Sequence, residues 1–218
     1  MEHQVAATPA GLRERKKQRT RDALLRVALE LFTTQGYERT TVDEIAAAVE
    51  VSQRTFFRYF ANKEEAAFAV QETVESHFVG ALRDRPAQES PFEAMHNAVL
   101  TAWASLEEIL APTVPVELYL RTYKVIESTP ALLAEHLRRS TELEEEIARL
   151  IAEREGLDMD TDPRPRVAVA AFVGVMRVTG RLWGQGGDPG IEAMRELTER
   201  YLDHLTPALA TDWRRRPT

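Results

Sequence analysis

The sequence predicts an all-α protein: a small helical domain at the N-terminus followed by a larger helical domain. Three observations predict this. Apolar residues recur at separations of three and four, as in Ala23, Leu24, Val27, Ala28, Leu31 and Phe32. No stretch alternates strictly enough for a half-buried strand, and no internal repeat appears. Helix start and stop residues punctuate the apolar segments, with Gly36 behind the first and Gly156 behind a late one. Of the 218 residues 44% are apolar, which is ample for a buried core. There is no cysteine, so disulfide, zinc-thiolate and thiol chemistry are excluded.

Taken in order, residues 1–12 are expected to be a disordered arm, and a long helix runs from about Arg13 to Gln35. Thr41 with Glu44 three residues on forms a capping box for a short helix bearing Ile45, Ala46 and Val49. Ser52 opens a second short helix. Its Phe56 and Phe60 share one face, while Arg54 and Arg58 point the other way, flanked by Thr55 and Phe57. Asn62, with Glu65 at the reciprocal position, caps a connecting helix over residues 62–84 that carries Phe68, Val74, Phe78 and Leu82. Ser90, Pro91 and Glu93 start the next helix, whose stripe runs through Trp103 and Leu106 to Leu110, where Pro112 ends it. Further helices are expected over residues 116–127, and from Thr129-Pro130 to Glu155 with Glu145–Arg149 and Arg149–Glu153 as surface pairs. Asp158 to Asp162 is an acidic linker. The next helix starts at Pro163 or Pro165 and ends at Gly184 to Gly187. Asp188-Pro189 opens the last, to about Leu209, and residues 211–218 form a tail.

The net charge of −7 is unevenly spread. Residues 1–63 carry 11 Lys/Arg against 8 Asp/Glu, and residues 64–218 carry 17 against 27. Between Arg13 and Arg21 six bases face one acid. Such asymmetry points to a nucleic-acid-binding end on an acidic body, although a basic run alone can equally be a solvated helix face. Two short helices with buried aromatics below and guanidinium groups above fit a helix-turn-helix that enters a DNA major groove.

Residues 13–63 resemble the DNA-binding domain of the TetR family of bacterial repressors. The pattern is Ala28, Leu31-Phe32 and Gln35-Gly36-Tyr37, then Thr40 to Ala46, Val51 to Phe60 and Asn62 to Glu65. The resemblance implies that Thr41 touches a phosphate, that Gln53, Arg54 and Thr55 lie at base edges, and that Tyr59 and Lys63 hold phosphates. Phe56 and Phe60 are core. Arg58 faces outward, with base, phosphate and solvent all open to it. Phe57 stands where the family often has a phosphate-binding tyrosine; it can only pack on sugar or a thymine methyl. Glu50 stands at a turn position where glycine is common, and costs on the order of 1 kcal/mol if that turn is left-handed.

The resemblance also implies that residues 64–210 bind a small-molecule effector and dimerise. Trp103, Tyr119, Tyr123, Phe172 and Met176 are the large side chains best placed to line a pocket, and equally serve as ordinary core. Glu117, Arg121 or His136 could orient a polar ligand. The helix over about Arg164 to Trp183 is apolar on every side between Val167 and Met176, so one side needs a partner. Val167, Ala171, Gly174, Val175 and Val178 are its candidate dimer-interface residues, because two-fold symmetry suits paired half-sites. The alternative is a central helix of a monomer.

The expected function is therefore a homodimeric regulator on a palindromic double-stranded DNA operator, released by a small effector, with no cofactor, metal or membrane. A second domain that only dimerises or binds protein is the alternative. A helical enzyme with a vestigial DNA-binding domain is disfavoured: the five histidines show no metal-ligand spacing, and Gly184 to Gly190 lacks a phosphate-loop lysine. The start lacks signal-peptide character and the strongly apolar stretch is half a membrane span, so a cytoplasmic protein is expected.

Overall fold

The structure, a computed structural model, describes residues 9–186 and 190–205. Among these residues there are ten α-helices and no strand, as the spacing predicts: α1 (Pro9–Thr34), α2 (Val42–Ala48), α3 (Gln53–Phe57), α4 (Lys63–Arg83), α5 (Pro91–Ala104), α6 (Leu106–Leu110), α7 (Val116–Ser128), α8 (Pro130–Glu155), α9 (Arg164–Gln185) and α10 (Ile191–Asp203). The chain divides into two compact units. One is Met1–Gln71 with Leu110–Val125, and the other is Glu72–Ile109 with Ile126–Thr218. Most of α7 thus belongs with the N-terminal unit, where Arg26 of α1 donates to the Thr113 carbonyl at 3.3 Å.

In the N-terminal unit α1 begins at Pro9, four residues before the expected start. The rest of the expected arm, residues 1–8, lies outside the described residues. The buried stripe of α1 is Leu24, Leu25, Ala28, Leu29 and Phe32, with Ala23, Val27 and Leu31 only half-buried. Apolar residues cover so much of this helix that spacing alone leaves its rotation open. Ile45 and Ala46 of α2, Phe56 of α3, Phe60, and Ala66, Ala67 and Phe68 of α4 close the core around it. The Thr41 capping box forms in full. Asn62 accepts from the Glu65 N–H at 2.7 Å, but the Glu65 carboxylate reaches past it to the N–H of Ala61.

The turn between α2 and α3 places Glu50 at φ 56°, the only non-glycine residue with positive φ among those described. Its N–H donates to the Ala47 carbonyl at 3.0 Å. The left-handed turn considered from sequence is therefore real, and here an exposed glutamate occupies it.

In the C-terminal unit, Phe78 and Leu82 of α4, Met95 and Val99 of α5, Ile147 and Ile151 of α8, and Val169 and Phe172 of α9 form one cluster. The Phe78 and Phe172 rings stack at 6.2 Å. The single helix expected from Ser90 to Leu110 is instead broken at Ser105 (φ −98°, ψ 7°), and Leu106 and Leu110, expected on its apolar stripe, are both buried. Glu145 does not pair with Arg149 as expected but turns to Arg166 of α9 at 3.0 Å. Two hydrogen bonds join α9 to the last helix and its cap. Trp183 donates to the Gly190 carbonyl at 3.1 Å, and the Thr198 hydroxyl donates to that of Thr179 at 3.0 Å. The start expected at Asp188-Pro189, the end expected near Leu209 and the tail from 211 lie outside the described residues.

Glu50→Gly is expected to stabilise the protein by about 1 kcal/mol, because glycine accepts the left-handed conformation without the Cβ clash. An unchanged or lower midpoint in chemical denaturation would contradict this account of the turn.

Candidate nucleic-acid interface

The candidate interface is built on α3, which is only five residues long and is fixed from three sides. At its start the Ser52 hydroxyl accepts the Thr55 N–H at 3.3 Å, and the two hydroxyls are 3.0 Å apart. Beneath it Phe56 and Phe60 are sealed in the core, with ring centroids 5.4 Å apart. Beyond it the Tyr59 and Phe60 N–H groups return to the Phe56 carbonyl at 2.8 and 3.0 Å. A helix this short has no stability of its own, so these contacts set its direction.

On the other side Gln53, Arg54, Phe57 and Arg58 are exposed, while Thr55 and Tyr59 are half-buried. These six candidates therefore lie on or beside one short helix. Arg54 makes no ion pair among the described residues and presents its five donors to solvent. Phe57 is 51% exposed, a large apolar group held edge-on to Phe56 at 5.6 Å. Arg58 lies back along Tyr59, donating to its hydroxyl at 3.2 Å with the guanidinium 5.0 Å from the ring centre. The two can serve one phosphate as a pair.

Thr41 is exposed at the start of α2, and its hydroxyl already donates to Glu44 at 2.9 Å. The Thr41 N–H and hydroxyl hold the Glu44 carboxyl below the usual carboxylate range. Lys63 is further from its expected role. Its ammonium donates to the carbonyls of Tyr37 at 2.9 Å and Thr40 at 3.2 Å, and lies 4.1 Å from the Tyr37 ring centre. Burial, reinforced by Glu64, pushes the Tyr37 hydroxyl above its ordinary range, so the ring under Lys63 stays neutral. Sequence pattern places Lys63 at the interface but gives no sign of this clamp, which joins residues 23 and 26 positions apart.

The chain is similar to known proteins over most of its length. The family model described as bacterial regulatory proteins, tetR family, matches residues 24–70, and the MftR C-terminal domain model matches residues 89–210. The regulator TcmR of Streptomyces glaucescens is 49% identical over 205 residues, covering 94% of this chain and 91% of that one. The chain belongs to the TetR family. MftR of Mycobacterium tuberculosis is 29% identical, over 74% of this chain and 78% of its own. Among solved structures, a TetR-family regulator from Syntrophomonas wolfei superposes with a TM-score of 0.62 at 20% identity, covering 89% of this chain and 98% of its own. NalD of Pseudomonas aeruginosa gives 0.59 at 19%, covering 91% and 100%. At these identities the structures speak to the fold. Like its relatives, this TetR-family chain is a DNA-binding transcriptional regulator and not an enzyme.

The remaining candidates lie elsewhere in this TetR-family chain. Trp103, Phe172 and Met176 pack at the cluster of the C-terminal unit, Phe172 buried and the other two half-buried. Tyr119 and Tyr123 are on α7 in the other unit, half-buried and buried respectively. Glu117 and Arg121 are exposed, and His136 lies 3.8 Å from Glu127. On α9, Val167 is 65% exposed, and Ala171, Gly174, Val175 and Val178 are half-buried along the same side, which ends at Leu182, 41% exposed. The 22-residue α9 is long and apolar enough to cross a membrane by length and composition only, as are core helices of soluble proteins. Arg164, Arg166, Arg177 and Arg181 of the same helix are also exposed.

Arg54→Ala is expected to cost about 1–3 kcal/mol in operator binding and to relax selectivity at the bases it reads. Retained selectivity in this variant would remove Arg54 from base reading. Lys63→Met is expected to destabilise the N-terminal unit by about 1–3 kcal/mol, because two carbonyls lose a charged donor. A chemical denaturation midpoint equal to that of the parent would disprove the clamp.

Proposed function

We propose that this TetR-family regulator is a homodimeric repressor that holds a palindromic operator in the cytoplasm and is released by a small-molecule effector. The observation that carries the reading is α3, where bases and an aromatic stand exposed over a sealed aromatic floor. Gln53, Arg54 and Thr55 read base edges, and Phe57 packs on sugar or a thymine methyl. Thr41, Tyr59 with Arg58, and the remaining ammonium proton of Lys63 meet phosphates, which set register without reading sequence. The dimer forms through the α9 side running from Val167 through Gly174 to Val178, whose small residues permit close helix approach. Burying such a side is favourable at about 25 cal/mol per Å² of apolar area.

Release follows from differential affinity. An effector that binds the arrangement unable to span two half-sites draws the population away from DNA, and one without that preference does nothing. Trp103, Phe172 and Met176 of the C-terminal unit are the proposed effector contacts, while Tyr119 and Tyr123 belong to the other unit. Selection of bound fragments from the source genome tests the operator half of this reading, and a fragment set lacking inverted repeats would overturn the palindrome. The double substitution Val175→Glu with Val178→Glu is expected to sediment as a monomer at micromolar concentration. It should bind operator on the order of 100-fold more weakly, since two linked half-site contacts become single ones. A dimer in that variant would move the interface off α9.

A further inference from the structure

Seven residues of α1, Arg13 to Arg19, are exposed at every position, and burial begins only with Thr20 and Arg21. These seven hold five bases and one acid. The acid is spent locally, since Glu14 pairs with Lys17 at 3.1 Å. Arg13, Lys16 and Arg19 make no ion pair among the described residues. At about 100° per residue the bases of Arg13 to Arg21 spread over about 240° of the helix surface. The strip they leave contains Glu14, Gln18 and Asp22, and Gln18 donates to Asp22 at 2.8 Å. An ordinary solvated helix intersperses opposite charges at i,i+4. Here Arg13 with Lys17 and Arg15 with Arg19 are like-charge pairs at that spacing, which weaken a helix. Apolar burial does not compensate, because this stretch buries nothing.

Where the exposed stretch meets the unit, Arg21 lies over the Phe60 ring at 5.2 Å. Phe60 is the floor residue at the far end of α3, next to Tyr59. The basic stretch thus meets the core of the N-terminal unit at Phe60, which follows Arg58 and Tyr59 just beyond α3.

We propose that Arg13, Lys16 and Arg19 form a second DNA contact, a phosphate-directed arm that grips duplex flanking the bases read by α3. The inference rests on the DNA-binding reading of α3. Seven residues at about 1.5 Å each span about 10 Å, a length of duplex axis that carries roughly six phosphate charges. Phosphates relieve the mutual repulsion of the bases, and the counterions they release supply affinity without sequence preference.

The test compares the full-length protein with its Arg13→Ala, Lys16→Ala, Arg19→Ala triple variant. Alanine is the strongest helix former and these positions are exposed, so α1 persists, which far-UV circular dichroism confirms. Binding is measured against salt on two probes, a random-sequence duplex and a duplex selected by the parent protein. The slope of log K against log salt is expected to shrink by about 0.9 per lost phosphate contact, up to about 3. At about 0.15 M salt the affinity should fall on the order of 100-fold on both probes, leaving their ratio unchanged. Equal slopes for parent and variant overturn the arm and leave these residues a solvated helix face. A fall confined to the selected duplex also overturns it, since that would be base reading. Failure of α3 as the reader would appear separately, as unchanged selectivity in Arg54→Ala, and the random-duplex slope still decides the arm.

Discussion

The N-terminal unit depends on one ammonium group. Lys63 stands at the first position of α4 and donates to carbonyls in the turn between α1 and α2, over the face of Tyr37. The Tyr37 carbonyl also accepts the Thr40 N–H at 3.2 Å, so Lys63 reinforces a turn that begins where Gly36, at φ 94°, ends α1. Three helices are thereby referred to a single point: the end of α1, the start of α2 and the start of α4. The Thr40 hydroxyl, donating to the Gly36 carbonyl at 2.9 Å, tightens the same turn from inside. The aromatic floor under α3 rests on this frame, and the aim of Arg54 rests on the floor.

Two kinds of surface follow. The helix-turn-helix offers exposed bases around one apolar ring, which suits a polyanion with a readable groove. The C-terminal unit offers α9, where Val167 and Leu182 stand exposed on one side and Arg177 and Arg181 also face solvent. Each lacks what the other has, and the proposed two-fold reading of DNA uses both.

Much of this was legible from residues alone. Thr41 with Glu44, and Ser90 with Glu93, announced helix starts that appear as drawn, because capping is local chemistry at fixed spacing. Phe56 and Phe60 declared the buried side of α3 by the same logic of spacing. What escaped was decided by distant partners. Nothing near Lys63 in sequence points to Tyr37, and nothing near Glu145 points to Arg166. The phase of α1 escaped for the opposite reason: with Leu24, Leu25, Val27, Ala28 and Leu29 all apolar, several rotations fit equally, and tertiary packing chose one. The break at Ser105 likewise has no local signal, as serine is tolerated inside helices and the apolar stripe runs on through Leu106 and Leu110.

The shortness of α3 has a consequence for how such a regulator changes over generations. Five residues give a helix whose direction is set by its cap, its floor and the turn behind it, so the exposed Gln53 and Arg54 contribute little to keeping the chain folded. They can be exchanged without passing through a misfolded ancestor. The vocabulary of recognition is thereby uncoupled from the grammar that presents it, and a duplicated copy could drift to a new site while inheriting its scaffold intact.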